Sequence, residues 1–120
     1  MAGTIVTPTS LFGPVQIGTG AAALYTAPAN STVTINRISV TNISGSAVGL
    51  TMWLVRNGGT NVNGNIVIGA SGSGQSIAAG PSEPYIANAF ASCVLQSGDA
   101  IWAEASAGTS LNSFGSGWVQ

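Results

Sequence analysis

The chain has 120 residues, 45% of them hydrophobic, and its formal charges are Arg37, Arg56, Glu83, Asp99 and Glu104, with neither lysine nor histidine. That length holds one domain with a core. A net charge of −1 with two arginines excludes a duplex-binding surface, which needs several cations on phosphates, and no apolar run approaches the roughly 20 residues of a membrane helix. Residues 1–20 read as an extended N-terminal arm, apolar and punctuated by Pro8 and Pro14. Residues 21–120 read as the domain. Its first strand covers Ala21 to Thr26 and stops at the turn-forming Ala27-Pro28-Ala29-Asn30. The second runs from Thr32 to Asn42. Val33 and Ile35 are out of phase with Ile38 and Val40, which predicts a β-bulge or a strong bend near Asn36-Arg37.

After a turn at Ile43 to Ala47, the strand Val48 to Val55 alternates most clearly. Val48, Leu50, Met52 and Leu54 share one face, and Gly49, Thr51, Trp53 and Val55 the other. Asn57 to Gly64 reads as an exposed loop, Ile66 to Ile68 as a short strand, Gly69 to Gly74 as a turn and Gln75 to Ala78 as a further strand. Tyr85 to Ala91 fits either a strand or a helical turn. Val94-Leu95 leads into a tight turn at Gln96 to Asp99, then strands follow at Ala100 to Ser106 and from Ser110 towards Val119. Short alternating strands between frequent turns predict an all-β chain: a single antiparallel, jelly-roll-like β-sandwich.

Chemistry is scarce. Serine has no histidine partner and no G-x-S-x-G elbow occurs. Without lysine there is no Walker motif, and a His or Cys metal site is excluded by count. An oxygen-only calcium site using Asp99 and loop carbonyls is left open, although no EF-hand spacing is present. Cys93 is single, so it forms no internal disulfide. Nothing calls for a cofactor, and the expectation is a protein that is not an enzyme. Asp99 is expected to cap its own turn, and Glu83 and Glu104 to be solvated or paired with Arg37 or Arg56. Asn30-Ser31-Thr32 and Asn42-Ile43-Ser44 match the glycosylation sequon. The start, Met1-Ala2-Gly3-Thr4, lacks the basic and apolar regions of a secretory signal.

Charged residues make up 4% of the chain, where an ordinary domain has about 25%. A monomer of this mass would expose about 5,900 Å². Either its surface is neutral and polar, or much of it is buried between subunits. Trp53 and Trp102 sit opposite the aliphatic faces of their strands. They are either covered by a second sheet or presented to a partner subunit or a sugar. Trp53, Trp102, Val55, Leu11, Phe12 and Trp118 are the candidate interface residues.

Leu24-Tyr25-Thr26-Ala27-Pro28-Ala29-Asn30, the strand Thr32 to Asn42, Ser44-Gly45-Ser46-Ala47 and Trp53-Leu54-Val55 follow one another in a recognisable order. Leu95-Gln96-Ser97-Gly98-Asp99-Ala100-Ile101-Trp102-Ala103 and Ser116-Gly117 come later. Over residues 21–119 this resembles the small β-sandwich virion proteins of tailed bacteriophages, with their Y-T-V-P-A, N-x-S-G, W/Y-L-V, L-x-x-G-D-x-I-x-A and closing S-G patterns. Where such proteins often end in an acidic residue, this chain has Trp118-Val119-Gln120. The resemblance implies a capsid decoration (cement) subunit or a tail or fibre component, located in the virion and commonly trimeric. Its partners would be copies of itself and the major capsid protein or another virion protein. The alternatives are a receptor- or glycan-binding module using Trp53, Trp102 or the Asn57 to Gly64 loop, and a self-assembling fibre subunit that donates its N-terminal arm.

Overall fold

The computed structural model describes residues 9–60, 62–69, 74–80 and 84–120. They form β1 (Thr9–Ile17), β2 (Ala22–Thr26), β3 (Val33–Asn42), β4 (Val48–Val55), β5 (Ile66–Ile68), β6 (Gln75–Ile77), β7 (Tyr85–Ile86), β8 (Val94–Leu95), β9 (Ala100–Ala105) and β10 (Leu111–Val119). Short 3-10 turns lie at Asn63–Asn65 and Asn88–Phe90. Tyr85 to Ala91 is therefore both things the sequence allowed, a short strand and then a helical turn.

The pairing is nested. β1 pairs with β10, β2 with β9, β3 with β7 and β8, and β4 with β5 and β6, all antiparallel. This long ribbon folds over on itself so that β10 also pairs with β3, and β9 with β4. Two sheets result, one in the order β1-β10-β3 with β7 and β8 beside β3, the other β2-β9-β4 with β5 and β6 beside β4. That wiring is a jelly roll.

One core lies between the sheets. It takes Val33, Ile35, Ile38 and Val40 from β3, Val48, Leu50 and Met52 from β4, and Ile101, Ala103 and Ala105 from β9. Ile17, Ile68, Ile77, Phe90, Leu95 and Leu111 complete it. The change of phase in β3 is where it was expected. Ser116 pairs with Arg37 and Gly117 with Ile35, which leaves Asn36 as the extra residue. The bulge keeps Ile35 and Ile38 both inward, at 0% exposure, although they are three apart.

The expected N-terminal arm needs correction. Residues 1–8 lie outside the described residues, but Thr9–Ile17 is the edge strand of the first sheet, hydrogen-bonded along β10. It sits there because β10 is hollow on its inner side. A Cβ on Gly115 would run into the Phe12 ring, and one on Gly117 would run into the Thr34 carbonyl and stand 2.9 Å from Leu11. Phe12 and Leu11 fill the space those glycines leave. Phe12 also stacks on Tyr25 of β2, ring centroids 6.1 Å apart, and so closes the edge between the two sheets.

Gly115→Ala is expected to overpack the Phe12 contact and cost about 1 to 3 kcal/mol in urea unfolding. Gly45→Ala is the control, because nothing lies within 4 Å of its Cβ position. Equal effects of the two changes would contradict the seating of Phe12.

Candidate functional site

Each sheet turns one face inward and one outward, and the outward faces are where candidate residues remain accessible. On the second sheet, register aligns Ala23, Trp102, Trp53 and Ile66 in one row across β2, β9, β4 and β5. A neighbouring row pairs Glu104 with Thr51. The other sheet covers the Leu50–Met52 face, so the tryptophans lie away from it. Trp53 is still only 7% exposed, set between Trp102 and Ile66, and its Nε1 has no acceptor among the described residues. Trp102 and Ile66 are half-buried. A buried Trp53 offers no free face to a sugar, which leaves Trp102 as the accessible indole of this sheet.

On the first sheet the outward row Trp118, Thr34 and Val94 crosses β10, β3 and β8, and Phe114, Ser39 and Ile86 form a second row on β10, β3 and β7. Phe114 is 46% exposed and Val94 42%. Ser39, the register partner of both Phe114 and Ile86, is buried between them. Arg37 and Ser116 pair between these two rows. Phe114, Ile86 and Val94 were missed as candidates. β10 is inverted: its inward positions Ser113, Gly115 and Gly117 are small and its outward ones include Phe114 and Trp118. A reading that puts large residues inside misassigns that strand.

The remaining candidates are occupied by their own fold. Leu11 and Phe12 pack on the core. Val55 is buried, and the turn after it folds back, with Gly59 N–H donating to the Arg56 carbonyl. Cys93 is half-buried, and burial pushes its thiol up, with Asp99 adding to this and Arg56 opposing it.

Asp99 organises one end of the sandwich. Its Oδ1 accepts from Asn57 N–H at 2.9 Å, and its Oδ2 from Gln96 N–H at 2.9 Å and Arg56 Nη1 at 2.7 Å. Its backbone carbonyl accepts from Ala27 N–H. The turn cap expected from the sequence is present, and it also ties the loops after β2 and β4 to the turn after β8. Every donor aimed at this carboxylate is cationic or an N–H, so the arrangement does not suit calcium. Among the described residues Arg56 pairs with Asp99. Glu83 lies outside the described residues.

At the other end, buried Asn42 is fully used. Its Nδ2 donates to the carbonyls of Ser46 and Ile77, both at 2.9 Å, and its Oδ1 accepts from Ser44 N–H and Oγ. These bonds join β3 of one sheet to β6 of the other. They also remove Asn42 as a glycosylation acceptor, whereas Asn30 is exposed.

Burial pushes the Asp99 carboxyl up, but the Asn57 N–H, the Arg56 guanidinium and the Gln96 N–H together outweigh it and hold it below its ordinary value of 3.8. A carboxylate with a depressed folded-state pKa stabilises above its unfolded value, and the contribution is lost as pH falls through the folded value. Stability is therefore expected to fall as the pH drops from about 5 through the depressed folded-state value. Asp99→Ala should cost about 3 kcal/mol at neutral pH and flatten that dependence. Urea midpoints across the pH range check this, and an unchanged acid slope in the variant would contradict it.

Among the described residues no group of three or more His, Cys, Asp or Glu is placed to hold a metal, and no helix is long and apolar enough to cross a membrane. No protein-family model matches the chain, nor does any curated protein or solved structure.

Proposed function

We propose that this chain is a virion structural protein of a tailed bacteriophage, a capsid decoration subunit that stabilises the assembled head by burying its outer faces against copies of itself and the shell protein. The observation that carries the reading is that both outward faces present aromatic and aliphatic rows with very little charge. Trp102 and Ile66 stand on one, and Phe114, Trp118, Ile86 and Val94 on the other. Soluble monomers keep such patches small and rely on charge to stay apart. Interfaces concentrate tryptophan and other aromatics and tolerate few charges at their centre.

Two further points support it. The longest motif of the resemblance, Leu95 to Ala103, runs from the end of β8 through the Asp99-capped turn into β9. Jelly rolls also recur in viral capsids, which is support by analogy of fold alone. Binding to the assembled shell stabilises it by mass action, as a ligand stabilises the state that binds it.

A glycan-binding reading draws on one feature, the accessible Trp102 beside Glu104 and Thr51. It competes through the jelly-roll lectins.

Light scattering on the purified chain, alone and with empty shells lacking it, tests the proposal. A species of about three times the 11.8 kDa chain mass that co-sediments with shells is expected. A monomer that ignores shells and binds an immobilised glycan through Trp102 would overturn it.

A further inference from the structure

Among the described residues the two outward faces carry opposite charges. Arg37 stands on the first, between the row of Trp118 and Val94 and the row of Phe114 and Ile86. Glu104 stands on the second, beside the row of Trp102, Trp53 and Ile66. Among the described residues the ion pair is Arg56–Asp99, and neither Arg37 nor Glu104 takes part in one.

We propose that copies of this chain stack front to back, with the outward face of β1-β10-β3 in one copy seated on the outward face of β2-β9-β4 in the next. This rests on the reading above and names the surfaces it uses. Of the three ways to pair the two faces, front on front buries Arg37 near another Arg37, and back on back buries Glu104 near another Glu104. Like charges brought together in a drying interface oppose association. Front on back brings one arginine to one carboxylate, and each satisfies the other as water leaves. The apolar rows match in the same pairing: Phe114, Trp118, Ile86 and Val94 meet Trp102, Ile66 and Ala23.

The two faces lie on opposite sides of one sandwich, so the contact is heterologous. A front-to-back contact between opposite faces repeats into an open array rather than closing on itself. Because this contact does not close on itself, a trimer would need a second surface, and the stacking contact would link subunits between trimers.

Charge exchange tests this directly. Sedimentation velocity over a range of concentrations should show the wild-type mass rising beyond a trimer. Arg37→Glu makes both faces negative and Glu104→Arg makes both positive, so each variant alone should need at least about tenfold more protein to associate. An equimolar mixture of the two should associate as the wild type does, because each face then meets its opposite in alternation. Thermal melts of each variant matching the wild type show that both are folded. Rescue in the mixture also requires folded partners.

The inference is overturned if either variant alone associates like the wild type, or if the mixture stays at the size of its separate components. A wild-type trimer that binds shells, does not grow with concentration and ignores both substitutions overturns the stacking and leaves the proposed function standing. Loss of shell binding with self-association unchanged assigns these faces to the shell protein instead. A wild-type chain that stays monomeric and ignores shells overturns both.

Discussion

The contact between the inner faces of the two sheets sets everything else in place. Ile35, Ile38 and Val40 on one side share a core with Leu50, Met52 and Ile101 on the other, each fully withdrawn from water. Burying side chains of this size is worth about 1.5 to 3 kcal/mol apiece. The register of β3, β4 and β9 follows from it, since a slip of one residue would turn each set outward. The bulge at Asn36 is a consequence. Without an extra residue there, β3 would place either Ile35 or Ile38 in solvent.

Filling the core from the middle strands leaves the edges to be closed by other means. β10 presents serine and glycine inward, and β1 supplies Leu11 and Phe12 to the gap. The ends are closed by two polar residues, Asp99 and Asn42, each with its accepting or donating atoms taken up by backbone groups and by one neighbouring side chain, Arg56 and Ser44 respectively. Both are buried polar groups that hydrogen bonding makes tolerable. The same arrangement explains the outward aromatics. With Ser113, Gly115 and Gly117 on the inside of β10, its aromatics Phe114 and Trp118 are left to the outside.

Much of the fold was legible. Val48–Val55 has the clearest alternation in the chain, and its limits agree with the structure. The phase change around Asn36-Arg37 located the bulge, because two pairs of β-branched residues cannot share a face across an even count without one. The turn at Gln96 to Asp99 was legible from its Gly-Asp pair. Less legible were features set by tertiary packing. Nothing local in Leu11-Phe12 shows that two glycines about a hundred residues away are shaped to receive them. Pro14 suggested an arm, yet an edge strand tolerates proline, because its outer side needs no donor. The candidate surface was legible in part. Trp102 and Trp118 stand outward, while Val55 and Trp53 are buried by their neighbours, and Phe114 was hidden by the inverted pattern of β10.

The account comes down to whether the outward rows are covered when the protein works. Hydroxyl-radical footprinting of Trp102 and Phe114, compared between the dilute chain and the particle-bound chain, measures that directly. Both residues should be protected on the particle, while Ile43, 56% exposed on the turn after β3, is labelled equally in the two states. Equal labelling of Trp102 and Phe114 in both states would contradict the account.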